Sequence, residues 1–440
     1  MKINRNQLLS VLSEALDSVE KEVLGVTDHH AKRVAWMCIQ MGRHAGMTEE
    51  EISELAVAAL LHDNALNEYK QDYENGRLRF GASGKKHCIA GEENLKLILK
   101  EEKQLRNFVL YHHECADGSG AFGKTAEEVS LGAQLVHIAD EVDLQFAIGQ
   151  SDEAALDRIQ SYVKEAEGRL FSKQVVEMFL EILTPELFEV LSDERIEKLT
   201  LEYEPIFMET NRGLAELFAR IIDYKSPFTK VHSIGVAEKA EHLANCLGYE
   251  KEHADKVYMA GALHDIGKLL VDIEVLEKPG RLDEAEYKHI QSHAYETYRL
   301  LSKIEGFEEI RDWASYHHEK LNGKGYPFGL TATEMSEEAK ILACVDIYQA
   351  LTEDRPYKVG MSHKKAIGIL DELVEKEELD REIVDRIDKE YDDGDSDVIM
   401  ERLALFQCSV CGYVYEGDVV PYEYQCPVCG QMGHEFVRIK

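Results

Sequence analysis

The sequence predicts an all-α protein of two tandem helical units with a small β knuckle at its C-terminus. Three observations indicate this architecture: apolar residues recur at helical spacing, a set of histidines and aspartates occurs twice in the same order, and C-x-x-C occurs twice near the end. A chain of 440 residues is also too long for one ordinary core. We expect domains over 1–191, 211–400 and 405–440, with a linking helix over 192–210.

The repeated histidines and aspartates define the two helical units, because their offset drifts only between 202 and 206 residues. The flanking sequences repeat as well, since "YHHECADGSG" at 111–120 matches "YHHEKLNGKG" at 316–325 in pattern. We interpret this as a duplication. The paired positions are His30 and His232, His62-Asp63 and His264-Asp265, His87 and His293, His112-His113 and His317-His318, and Asp140 and Asp346.

Helical periodicity is clear inside the second unit. The segment 232–249 places Val236, Ala240 and Leu243 on one stripe, and 254–268 is apolar along one side. We expect the second of these helices to be buried. Alternating strand patterns occur only in the C-terminal tail.

The composition limits the partners of the protein. The net charge is −34, from 50 basic and 84 acidic residues, which disfavours polymeric nucleic acid and anionic membranes. The chain contains no apolar run near 18 residues, and its first residues lack the apolar core of a signal peptide. We therefore expect a cytoplasmic protein.

The buried His-Asp sequences of the second unit predict a dimetal site. Burying imidazoles and carboxylates is unfavourable unless they are paired or bind metal. One ligand set is His232, His264, Asp265 and Asp346, and another is His293, His317 and His318, with Asp265 bridging. Nitrogen and oxygen ligands suit Fe, Mn or Zn, of which we favour Fe or Mn. Two such metals would generate a hydroxide nucleophile for phosphoryl displacement. The alternative is that each histidine is a satisfied core residue.

Lys268 follows His264 by one helical turn. Beside a dimetal site its ammonium group could hold a phosphate oxygen or protonate a leaving alkoxide. The alternative is an exposed cation near a helix C-terminus.

Three motifs, "HDIGK", "HHEKLNGKGYP" and "VDIYQALTEDRPYK", resemble the HD-GYP subclass of HD phosphohydrolases over about 226–375. The resemblance implies a helical domain with a dimetal centre that hydrolyses cyclic di-GMP to the linear dinucleotide or GMP, while some members prefer cyclic GMP-AMP. It assigns the seven positions above as metal ligands, with Asp265 and Lys268 as catalytic residues. It assigns substrate contacts to Lys268, Gly325, Tyr326, Pro327, Arg355 and Lys358.

The second unit departs from the family pattern at three positions. Phe228 replaces a glutamate that holds a third metal in some members, so we expect two metals. Gln349 replaces a second aspartate that often follows the last ligand. Thr297 replaces a common glycine.

The first unit resembles the same family with parts missing. It keeps all seven ligand positions, but Leu66 replaces the lysine, Ala121-Phe122 replaces Tyr-Pro, and no "RPYK" follows Asp140. One interpretation is a metal pair without hydrolysis, in a sensor or scaffold where di-iron could respond to oxygen. The other is a decayed duplicate kept for packing. The metal ligands of the first interpretation are His30, His62, Asp63, His87, His112, His113 and Asp140.

The C-terminal tail carries a four-cysteine metal motif. Cys408, Cys411, Cys426 and Cys429 form two knuckles that predict a tetrahedral Fe or Zn site. "CGYVYEGD" and "CPVCG" resemble the rubredoxin-like domain of rubrerythrins. That resemblance favours one iron that moves single electrons over a structural zinc.

These features predict a metal-dependent cyclic di-GMP phosphodiesterase regulated by metal or redox state. The substrate could equally be cyclic GMP-AMP, and an electron-transfer partner would act at the tail. Two alternatives stay open, an HD phosphohydrolase of another nucleotide and a redox-gated receptor that binds the dinucleotide without hydrolysis. The oligomeric state is open too, with a homodimer among the options.

Overall fold

The computed structural model describes residues 4–66, 82–98, 107–151, 154–192, 196, 211–225, 231–278, 280–354, 359–392, 404–408, 414–417 and 436–438. Two compact units result, one formed by Lys2–Ile221 with Leu300–Phe307 and the other by Ile222–Arg299 with Glu308–Lys440. Most of the predicted linking helix lies outside the described residues, as do Phe228, Arg355, Lys358, Cys411, Cys426 and Cys429. Among the described helices, none is both long and apolar enough to cross a membrane.

The first half of the chain is helical, as predicted. Its helices are α1 (Arg5–Leu24), α2 (His30–His44), α3 (Glu49–Leu60), α4 (Ala82–Leu95), α5 (Leu131–Phe146), α6 (Ala155–Glu165), α7 (Lys173–Ile182) and α8 (Pro185–Ser192). Sequence-encoded caps set several ends: Thr48 and Glu51 form a capping box at α3, and Gly25 ends α1 in the left-handed conformation. Helix α2 packs against α3 and α5, which builds the core of this half.

The second half repeats this arrangement. Its helices are α9 (Asn211–Tyr224), α10 (His232–Cys246), α11 (Lys251–Leu263), α12 (Ile273–Leu276), α13 (Glu284–Leu301), α14 (Glu308–Ser315), α15 (Glu337–Thr352), α16 (His363–Glu375) and α17 (Arg381–Tyr391). Helix α10 packs against α11 and α15, as α2 does against α3 and α5. The helix α11 that was expected to be buried is buried from Val257 to Leu263.

The described part of the tail is a three-stranded antiparallel sheet. Its strands are β1 (Ala404–Cys408), β2 (Val414–Gly417) and β3 (Phe436–Arg438), in the order β2-β1-β3.

Candidate metal centres

The second unit brings all seven predicted ligand residues together. His232 begins α10, His264 follows α11 directly, His293 lies within α13, and Asp346 lies within α15. Two groups result, in each of which the ligand atoms lie within 4.8 Å of one another: His232, His264 and Asp346, and His293, His317 and His318. Asp265 lies between the groups, with Oδ2 3.2 Å from His264 Nε2 and Oδ1 3.4 Å from His293 Nε2. This is the arrangement expected of a bridging carboxylate.

Backbone hydrogen bonds orient three of these imidazoles. The Nδ1 atoms of His264, His293 and His317 donate to carbonyl oxygens three residues earlier, at 2.7, 2.6 and 2.7 Å. Because a carbonyl oxygen only accepts, each Nε2 carries a lone pair that faces the cluster. The Nε2 atoms of His293 and His317 lie 3.2 Å apart. Two lone pairs at that distance repel each other unless a cation lies between them.

Buried atoms without hydrogen bonds indicate the same requirement. Nε2 of His264 and Oδ1 of Asp265 form no hydrogen bond within the described residues, although these residues are 0% and 2% exposed. Such atoms are unfavourable in a protein interior. Their nitrogen and oxygen chemistry suits Fe, Mn or Zn ions. The seven residues therefore fit a pair of divalent cations.

The charge state of the cluster also fits cation binding. Burial lowers the pKa of His293 to about 3 and that of His318 to about 4, so both imidazoles are neutral. Burial works against ionisation of Asp265, but His264 and Lys268 outweigh it and hold its pKa well below the usual range. Neutral imidazoles and an ionised carboxylate are the forms that bind metal.

Lys268 belongs to this cluster and is not an exposed surface cation. Its Nζ donates to Oδ2 of Asp265, and its side chain is 25% exposed. Burial would lower its pKa, but the Asp265 carboxylate raises it above the ordinary value, so the ammonium group keeps its charge. At the equivalent position of the first unit, Leu66 is an apolar side chain only 1% exposed.

The structure explains the threonine at 297. A Cβ at Gly267 would overlap the backbone of α13, so the turn after α11 packs closely on that helix. Thr297 Oγ1 accepts a hydrogen bond from Gly267 N at 3.1 Å and donates to His264 O at 3.0 Å. In the first unit Ala65 corresponds to Gly267 and Gly91 corresponds to Thr297. The glycine therefore lies on the turn in the second unit and on the packed helix in the first.

The Gly-Tyr-Pro loop lies beside the ligand group of His293, His317 and His318. The Tyr326 ring is 4.8 Å from the His318 ring, centroid to centroid. A Cβ at Gly325 would overlap the backbone of Glu319, so only glycine fits there. The Glu319 carboxylate accepts hydrogen bonds from the backbone N–H groups of Phe328, Gly329 and Leu330, at 2.6, 3.1 and 2.9 Å. The motif "HHEKLNGKGYP" contains Glu319 but does not by itself indicate this role.

Glu353 is a further residue that sequence reasoning missed. Its Oε2 lies 3.0 Å from Nδ1 of His232 and accepts a hydrogen bond from Gln349 Nε2 at 3.1 Å. In the first unit Asp143 serves His30, with Oδ2 2.6 Å from Nδ1, and Arg33 pairs with the same carboxylate. Gln349 replaces that aspartate, and the carboxylate comes instead from one turn later. Glu353 directly follows Thr352, the last residue of α15, and the motif "VDIYQALTEDRPYK" that contains it does not by itself indicate this role.

The first unit assembles an equivalent cluster of seven His and Asp ligands, called a cage below, but has no lysine at the position of Lys268. Its two groups are His30, His62 and Asp140, and His87, Cys88, His112 and His113. Oδ1 of Asp63 lies 3.3 Å from His87 Nε2 and 3.6 Å from His112 Nε2. As in the second unit, the Nε2 of His62 and Oδ1 of Asp63 are buried without a hydrogen bond within the described residues.

The four-cysteine site is described only in part. Cys408 ends β1, and the other three cysteines lie outside the described residues. The predicted metal ligation of the tail therefore stays a prediction.

Comparisons with known proteins agree with this organisation. HD domain models match residues 216–383 and 27–145, and a rubrerythrin, rubredoxin-like domain model matches 406–437. The 3'3'-cGAMP-specific phosphodiesterase 1 of Vibrio cholerae is 31% identical over 403 residues, which cover 88% of this chain and 91% of that protein. A cyclic di-GMP phosphodiesterase of Pseudomonas aeruginosa is 36% identical over 141 residues, 32% of this chain and 34% of that protein.

A solved structure shares the fold. The crystal structure of a cyclic GMP-AMP specific phosphodiesterase of Vibrio cholerae, V-cGAP3, aligns with a TM-score of 0.58 at 24% identity, covering 86% of this chain and 96% of that one. The helical tandem, the paired His-Asp cages and the near full-length relative agree. The chain belongs to the HD-GYP family of cyclic dinucleotide phosphodiesterases and carries a rubredoxin-like domain at its C-terminus.

Proposed function

We propose that the second HD unit hydrolyses a phosphodiester bond of a cyclic dinucleotide. The observation that carries this proposal is the buried pair of ligand groups joined by Asp265, with the Lys268 ammonium group on the same carboxylate. Cyclic di-GMP is the substrate that the sequence motifs predict. A relative that spans most of the chain is named for 3'3'-cGAMP, so both dinucleotides are candidate substrates.

The protein would contribute positioning and charge to this reaction. His232, His264, Asp265, Asp346, His293, His317 and His318 would hold two cations, which supply a nucleophile from water and neutralise developing negative charge. Lys268 keeps its positive charge beside Asp265, where its remaining N–H groups could donate to a phosphate oxygen or to the leaving oxygen. The Tyr326 ring lies next to the His318 ring, and a base or ribose could pack against it. Arg355 and Lys358 stay predicted contacts of the dinucleotide.

Hydrolysis assays test this proposal directly. Anaerobically purified protein loaded with iron or manganese would be given cyclic di-GMP and 3'3'-cGAMP in parallel. We expect turnover of at least one, and we expect Asp265→Asn to abolish it. The matched control is Asp255→Asn, which changes an exposed carboxylate on the preceding helix α11. Wild-type protein that has both metals, binds a dinucleotide and leaves it intact would support the receptor instead.

We further propose that the first unit binds metal without hydrolysing a dinucleotide. His62 Nε2 and Asp63 Oδ1 are buried without a hydrogen bond within the described residues. A duplicate kept only for packing has no need of such unpaired polar atoms, whereas a metal would pair them. Leu66 leaves this cage without the lysine that we assign to phosphate binding. Metal analysis of the full chain would compare the wild type with Asp63→Asn. An unchanged metal content in this variant would favour the packing interpretation.

For the tail we propose a rubredoxin-like iron centre that makes turnover depend on redox state. The match to the rubrerythrin, rubredoxin-like domain supports iron. Turnover would be measured with the tail reduced and oxidised. Equal rates, or zinc in the isolated protein, would leave the tail with a structural role.

A further inference from the structure

A buried thiol lies against the first cage. Cys88 follows His87 on α4 and is 0% exposed. Its Sγ lies 3.6 Å from Nε2 of His87 and 3.7 Å from Nδ1 of His112. Together with His113 these residues form one group of mutually close ligand atoms.

The second cage has no thiol at the matching place. His87 corresponds to His293, so Cys88 corresponds to Ala294, which is also fully buried. The corresponding group in the second unit consists of three histidines. The two cages therefore share their seven His and Asp positions, and the first has a thiol where the second has Ala294.

A second observation, independent of the thiol, supports a cation in this cage. His62 Nε2 and Asp63 Oδ1 are buried without a hydrogen bond within the described residues, and Asp63 Oδ1 faces the nitrogen of His87 at 3.3 Å. His87 Nε2 thus lies near both the buried Asp63 oxygen and the Cys88 sulfur, at 3.3 and 3.6 Å.

We propose that Cys88 is an additional ligand of the first cage, which makes that cage a thiolate-containing site for a borderline-soft divalent cation such as Zn²⁺ or Fe²⁺. This inference rests on the proposal that the first cage binds metal. A thiolate ligand favours such ions over Mn²⁺, which prefers oxygen ligands. The thiol proton would pass to solvent when the cation binds. The two HD units would then differ in ligand chemistry, with sulfur in the first set and nitrogen and oxygen alone in the second.

Cobalt substitution of the full chain tests the role of the sulfur. Metal-free protein would be reloaded anaerobically with Co²⁺, and the near-ultraviolet absorption of thiolate-to-cobalt charge transfer would be compared at equal cobalt content. The four tail cysteines contribute equally to every variant. We expect Cys88→Ser to lose about one fifth of this absorption, because one of five thiolate ligands is removed. Cys88→Ala, which copies Ala294, provides a second variant with the same expected loss.

The control is Cys344→Ser, which changes a buried thiol on α15 in the second unit and should leave the absorption unchanged. Asp63→Asn distinguishes metal binding by the first cage from ligation of that metal by Cys88. If Asp63→Asn lowers the cobalt content while Cys88→Ser leaves the absorption at the wild-type level, the cage binds metal without the sulfur and the Cys88 proposal is overturned. If Asp63→Asn leaves the cobalt content unchanged, the metal-bound first unit fails, and the Cys88 proposal fails with it.

Discussion

Replacing Lys268 with leucine gives the second cage the side chain that the first cage already has at Leu66. The variant removes a positive charge that lies on the bridging carboxylate Asp265 and takes away none of the seven ligands. We therefore expect the metal content to stay at the wild-type level. The turnover number should fall, because a cation placed for a phosphate oxygen is lost.

The size of the loss follows from the position of the charge. Two unit charges 4 Å apart interact by about 4 kcal/mol at an effective dielectric constant of 20. One quarter of the Lys268 side chain is exposed, so solvent screens part of this interaction. We therefore expect a loss of about 2 to 4 kcal/mol in transition-state stabilisation, or roughly 30-fold to 1,000-fold in turnover number.

The assay is anaerobic hydrolysis at saturating dinucleotide, with metal content measured on the same samples. Lys288→Leu is the control, because this lysine lies on the surface of α13 with its side chain 70% exposed. A Lys268→Leu enzyme within threefold of the wild type would refute the phosphate contact. Loss of metal in this variant would show instead that the lysine serves to assemble the cage.

Three further predictions follow from buried contacts. Glu353→Gln should weaken metal binding roughly 10-fold to 100-fold, because the carboxylate that orients His232 is lost. A metal titration would measure this loss, and the control Glu372→Gln, at an exposed position, should leave the affinity unchanged. Gly267→Ala should lower the free energy of unfolding by about 1 to 3 kcal/mol, because the added Cβ would overlap α13. The control Gly368→Ala places its Cβ in open space within α16 and should raise the free energy of unfolding by up to about 1 kcal/mol. Denaturant unfolding compares the two variants, and equal stabilities would contradict the close packing at Gly267. Burial raises the pKa of Glu92 to about 7 from 4.5, so ionisation of this carboxyl destabilises the fold as the pH rises through this interval. Glu92→Gln should make the free energy of unfolding less dependent on pH in the same interval. Equal pH dependence of unfolding in the wild type and the variant would contradict this.

Much of the fold and of the metal sites could be predicted from the sequence. Apolar spacing identified the helices because an α-helix buries one stripe of its surface. The repeated His-Asp order identified both cages, since buried imidazoles and carboxylates need a partner wherever they occur. The number of ligands, too many for one metal, predicted that Asp265 bridges two ligand groups, and its oxygens lie 3.2 Å from His264 Nε2 and 3.4 Å from His293 Nε2.

Other features depend on distances between helices that are far apart in the chain. Glu353 meets His232 across 121 positions, and Thr297 meets His264 across 33. Neither contact has a motif of its own, because many side chains of suitable length could fill the same gap between packed helices.

The sequence by itself determined which residues offer donor atoms for a metal and which unit lacks the lysine that we propose for phosphate binding, because residue type and order decide donor chemistry. Only the tertiary structure decided the surroundings of those residues. It placed a thiol against the first cage, a glutamate behind His232, and the Lys268 ammonium group on Asp265. These contacts arise from the packing of whole helices, where burial removes water as the alternative partner and makes the identity of each neighbour matter.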